Sequence, residues 1–74
     1  MNSNFKDDDT LDRYRTEGIK LRVVRDANRK NDVRGHLVAW NDDYIMIRKS
    51  NRNVVKLSRD YFIQPSKDPR PDFE

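Results

Sequence analysis

Few residues in this chain have the chemistry to act on a substrate. Among 74 residues there is no cysteine and one histidine, His36. That excludes a thiolate nucleophile, a disulfide and a cysteine-based zinc site. One imidazole also falls short of a histidine-only metal centre. His36 lies beside Gly35 in an alternating stretch, the place of a sheet-surface residue or of a contact to RNA. Asp42 and Asp43 are neighbours in sequence, which suits a turn better than an acid–base pair. There is no glycine-rich phosphate loop, no metal-ligand spacing and no ordered Ser–His–Asp set. The expectation is a protein that is not an enzyme, with no cofactor, no metal and no small-molecule substrate.

What the chain does carry is positive charge. Sixteen residues are Lys or Arg, ten of them Arg, against thirteen Asp or Glu, for a net charge of +3. The balance is uneven along the chain. Residues 1–12 sum to −3, residues 13–59 to +8, and residues 60–74 to −2. A basic body between acidic ends points to a polyanion partner, RNA or DNA. The alternative is a solvated face on a small soluble domain. Arginine favours the first, because its planar fork pairs with phosphate and stacks on bases. Acidic ends folded over that body would compete with nucleic acid in a salt-dependent way.

The elements that must position these side chains can be read from periodicity. Residues 1–7 read as a disordered N-terminus. Asp7, Asp8, Asp9 and Thr10 are N-cap candidates, Leu11 and Tyr14 form one apolar stripe, and Gly18 is a stop, predicting a helix over 10–17. From Ile19 the period becomes two. Strands are predicted over 19–24, 33–40, 44–49, 54–57 and 61–64. In the second, Val33, Gly35, Leu37 and Ala39 share one face and His36, Val38 and Trp40 the other. The glycine there marks a bend or a close backbone approach. Polar stretches at 26–32, 41–43 and 50–53 are loops and turns. Pro65 ends the last strand, and residues 66–74 read as a disordered tail. The fold class is mainly β: a short N-terminal helix followed by a five-stranded SH3-like small barrel, with one domain over 8–65.

The core is thin. Leu, Ile, Val and Phe make 17 of the 74 residues. A single core of this size rarely supplies more than a few kcal/mol. With disulfide and metal excluded, self-association is the remaining remedy. No apolar run is long enough to cross a membrane and the N-terminus has no signal-like apolar region, so a cytoplasmic protein with no membrane partner is expected.

Short matches in order along residues 8–67 resemble the bacterial Sm-like RNA chaperone family, Hfq. Asp8-Asp9-Thr10-Leu11-Asp12-Arg13-Tyr14-Arg15 is similar to its first helix, Asp-x-x-Leu-Asn-x-x-Arg. Leu21 to Val24 is similar to the first strand, Arg34-Gly35-His36-Leu37 to the bent second strand, and Trp40-Asn41-Asp42 to the turn after it. Ile45-Met46-Ile47 and the stretch from Val54 to Lys67 are similar to the last three strands and the closing proline. The resemblance implies an Sm-like barrel, a homo-oligomeric ring that is usually a hexamer, and non-catalytic RNA chaperone or post-transcriptional regulator activity. In such rings the fourth strand of one subunit pairs with the fifth of the next. The resemblance places RNA at the rim on Arg13, Arg15 and Trp40, with Arg15 and Trp40 pairing as guanidinium and stacking ring. The reading preferred for Trp40 itself is a barrel residue that covers the helix. On the pore side the family's Tyr-Lys-His falls on Lys56-Leu57-Ser58, leaving Lys56 and the adjacent Arg59 as the candidate charges. The family's two base-stacking positions fall on Asp43 and Val24. Without those platforms, the other expectation is a monomeric SH3-like adaptor with a protein partner.

Overall fold

A computed structural model of the chain describes residues 7–71. The helix starts earlier than the apolar stripe alone predicts. The Asp7 side chain accepts the Thr10 amide at 2.9 Å and caps the first turn. Bonding to Thr10 also holds the Asp7 carboxyl below its ordinary value. Helix α1 therefore spans Asp8–Thr16, with Asp8 and Asp9 at its positive end. It stops at Gly18, whose φ of 65° lies in the left-handed region that favours glycine. The Ile19 amide then reaches the Tyr14 carbonyl at 3.0 Å and the Gly18 amide the Arg15 carbonyl at 3.3 Å, a Schellman closure.

Five strands come after the helix: β1 (Lys20–Val24), β2 (Val33–Trp40), β3 (Tyr44–Arg48), β4 (Val54–Ser58) and β5 (Phe62–Pro65). All neighbouring pairs are antiparallel, in the order β4-β3-β2-β1-β5. The inner face carries Leu21, Val23, Leu37, Ile45, Ile47, Leu57 and Ile63, and α1 adds Leu11 and Tyr14. Alternation put these residues on one side, and burial of that side fixes the register. Gly35 is required by close approach. A Cβ there would collide with the Arg48 carbonyl oxygen and lie 2.7 Å from Ile47 Cγ2.

The sheet is not closed. Among the described residues no ladder joins β4 to β5, so the predicted barrel is observed as an open antiparallel sheet with two edges. It is nonetheless curled. β4 and β5 lie at opposite edges, yet only Arg59, Asp60 and Tyr61 separate them. Four chain steps reach at most about 14 Å, whereas a flat five-stranded sheet is roughly 19 Å across.

Two local features depart from simple alternation. The β2–β3 register shifts between Leu37 and Ala39, so Val38 is extra. The bulge inverts the facing of the last two residues of β2. Trp40 lies opposite Ile45 and packs on the core, while Ala39, expected inside, is exposed opposite Met46. The second feature is the tail, predicted to be mobile from residue 66. Its described part, 66–71, is bonded to the outer face of the sheet. The Ser66 amide reaches the Lys20 carbonyl at 2.8 Å, Arg22 donates to the Ser66 and Asp68 carbonyls, and Gln64 Nε2 to the Pro69 carbonyl at 3.2 Å. Arg70 clamps both oxygens of Asp32, at 2.7 and 3.2 Å. Of the expected N-terminal stretch 1–7, residue 7 caps the helix, and residues 1–6 and 72–74 lie outside the described part.

Candidate nucleic-acid interface

The rim proposed for RNA is built by the first helix and the end of β2. Helical spacing puts Arg15 and Asp12 on one flank, bridged at 3.3 Å, with both side chains at least half exposed. The Arg15 guanidinium carbon stands 6.0 Å from the centre of the Trp40 ring. The sequence offered that pairing beside the reading of Trp40 as a helix cover, and the bulge at Val38 turns Trp40 toward the helix. Trp40 is also bound from its edge: its indole N–H donates to Asp8 Oδ1 at 3.2 Å. The ring is thus half-buried and covers the helix, with Arg15 as its outer neighbour. Arg13 is exposed on the same helix.

Lys56 and Arg59 do not form one site. Lys56 is exposed on β4 and its ammonium lies 4.3 Å from the centre of the Tyr44 ring, a cation–π contact. Tyr44 is 41% exposed. The two side chains, with Ala39, Met46 and Trp40, line a shallow hollow of about 90 Å³.

Arg59, expected as a pore-side charge, is instead structural: it is only 3% exposed. It donates through Nη2 to Asp8 Oδ1 at 2.6 Å and through Nη1 to the Asn41 carbonyl at 2.7 Å. Its own amide donates to the Asp43 carbonyl at 2.9 Å. One carboxylate oxygen of Asp8 thus ties together the helix start, the end of β2 and the β4–β5 link. Sequence reasoning saw Asp8 only as a capping candidate, because the join depends on three segments distant along the chain. Asp42 and Asp43 lie in the turn, where Asn41 Oδ1 accepts the Asp43 and Tyr44 amides. His36 is half-buried on β2, opposite Lys20 on one side and Arg48 on the other.

Among the described residues no three His, Asp or Glu side chains converge as a metal site. No described helix is long and apolar enough to cross a membrane. Compared with protein families, curated proteins and solved structures, the chain matches none.

Proposed function

We propose that this chain is an Sm-like, Hfq-like RNA-binding protein that works as a ring, a non-catalytic chaperone or post-transcriptional regulator. The observation that carries the proposal is the helix-first strand order, with β4 and β5 left as the two edges of a curled sheet. Edge strands present unpaired backbone groups. In the Sm-like arrangement β4 of one copy would pair with β5 of the next, closing a ring of about six subunits and completing the barrel-like wall. RNA would run along the rim, with Arg13 and Arg15 on phosphates and the Arg15–Trp40 pair beside the bases, and Lys56 with Tyr44 as a further contact. Such a protein would need no cofactor and would act on cytoplasmic RNA.

The test is native mass by light scattering behind a sizing column, at low and high salt, and then RNA titration. A mass near six or seven copies is expected. Binding of single-stranded RNA should weaken steeply with salt. Replacing Arg13 and Arg15 with Ala should flatten the log K against log salt slope by about 1.4 if each residue holds one phosphate, without changing the mass. A clean monomer would remove the ring and favour the SH3-like adaptor with a protein partner. Unchanged RNA binding in the double variant would remove the rim.

A further inference from the structure

Four arginines from separate segments converge on the outer face of the sheet. Arg22 (β1), Arg34 (β2), Arg29 (the 3₁₀ turn Arg29–Asn31) and Arg70 (the tail), with Pro69, line an open hollow of about 450 Å³. Arg22 and Arg34 are direct cross-strand partners in the β1–β2 ladder. Like charges so placed repel and destabilise a sheet. A protein with a thin core carries that repulsion here, and among the described residues neither Arg22 nor Arg34 forms an ion pair.

The two acids of the loop beside the hollow, Asp26 and Asp32, are already engaged. Asp32 is occupied by Arg70. The carboxylate of Asp26 accepts the Asn28 amide and Asn31 Nδ2 within its own loop, both at 2.8 Å. Arg22 donates only to neutral oxygens: Gln64 Oε1 at 3.0 Å and the Ser66 and Asp68 carbonyls at 3.1 and 2.9 Å. Those bonds fix its guanidinium without an ion pair and leave two of its five N–H donors over among the described residues. Arg29 and Arg34 are exposed, and their side chains make no hydrogen bond or ion pair among the described residues. The hollow therefore holds one guanidinium fixed in place, two more free to close on a ligand, and a fourth neutralised by Asp32 that anchors the tail as one wall. Convergent guanidinium forks match the oxygens of a phosphate group.

We infer that this hollow is a phosphate-binding site, with Arg22, Arg29 and Arg34 as its ligands and Arg70 as the residue that shapes it. Phosphate chemistry is common to a free phosphate or mononucleotide and to the backbone of an RNA strand. The site deepens the RNA reading and rests on it for the strand as source, but uses none of the rim residues. Arg34 is the second residue of β2 and Trp40 the last, about 20 Å apart along the strand.

The experiment monitors the arginine side-chain N–H signals of the isotopically labelled full chain by NMR. Inorganic phosphate, adenosine 5′-monophosphate, adenosine and a short single-stranded RNA are titrated in turn. Phosphate and the mononucleotide should move the Arg22, Arg29 and Arg34 signals, and adenosine should not. The Arg29→Ala/Arg34→Ala variant, whose two side chains bond to nothing among the described residues, should bind phosphate at least tenfold more weakly. Arg13→Ala/Arg15→Ala should bind it within twofold of the parent. Arginine signals that stay still under phosphate, or undiminished phosphate binding in the Arg29/Arg34 variant, would overturn the site. If phosphate binds at these arginines and RNA binds nowhere, the site stands and the RNA reading falls. If RNA binds at the rim and phosphate leaves the hollow untouched, the site alone falls.

Discussion

Replacing Arg59 with Ala separates a structural arginine from a ligand-binding one. The side chain is 4% exposed, and its charged hydrogen bonds include those to the Asn41 carbonyl at 2.7 Å and to Asp8 at 2.6 Å. The bond to the carbonyl is worth about 1.5–3 kcal/mol. Asp8 is 69% exposed, so its ion pair is screened by solvent and counts for roughly 1 kcal/mol or less. The buried aliphatic stem adds packing at about 0.8 kcal/mol per methylene. The expected loss is at least about 3 kcal/mol on these terms. For a domain this small that is a fall in Tm of roughly 12–24 °C. Asp8→Ala should be far milder, because it removes the screened bond and the indole contact but leaves Arg59 its carbonyl partner. The assay is urea unfolding monitored by circular dichroism and by the fluorescence of Trp40, the one tryptophan, which shares the Asp8 oxygen. Unchanged stability in Arg59→Ala together with lost RNA affinity would refute this reasoning, and would return Arg59 to the binding surface.

Gly35→Ala should destabilise by the upper part of the roughly 1–3 kcal/mol typical of overpacking, since the obstructing atom is the Arg48 carbonyl oxygen and backbone cannot step aside; unfolding midpoints of the two proteins check it. Ending the chain at Lys67 should lower stability measurably, because Asp32, whose side chain is 8% exposed, loses Arg70; an unchanged melting curve would mean that the tail is not held in solution. Tyr14 should ionise above its ordinary value of 10.0, because burial disfavours the phenolate and the charge of Asp68 adds to this. Its folded value is raised, so its contribution to stability is complete below the unfolded value of about 10 and is lost as pH rises through the folded one. Ultraviolet titration with and without urea reads the difference. Asp7 and Asp26 carry the opposite sign. Both are held below 3.8, by bonding to Thr10 and to Asn31 respectively. Their contributions are present above the unfolded value and fade as pH falls through the folded values. Asp7→Asn should therefore flatten the acid limb of a helix-reporting circular dichroism titration.

Local chemistry made much of this fold readable without coordinates. Period-two alternation marked all five strands, because side chains in a strand alternate between a buried and a wet face. Gly18 and Gly35 announced a helix stop and a close approach for reasons that lie within one or two residues. The contrast between a basic body and acidic ends was also plain. What alternation could not see was the extra residue at Val38. A bulge is a relation between two strands, and it alone puts Trp40 against the helix and Arg15 over its ring. Nor could charge counting divide the arginines. Arg59 is buried against Asp8, Arg70 is clamped to Asp32, and Arg29 and Arg34 form no ion pair among the described residues. Ten identical side chains differ only in what tertiary folding brings beside them. The tail shows the same limit: proline and charge mark 66–71 as loose, and two distant side chains, Arg22 and Asp32, hold it together with the nearby Gln64. Residue type and spacing determine the elements. Contacts between residues some forty positions apart decide which charges are spent on the fold and which remain for a ligand.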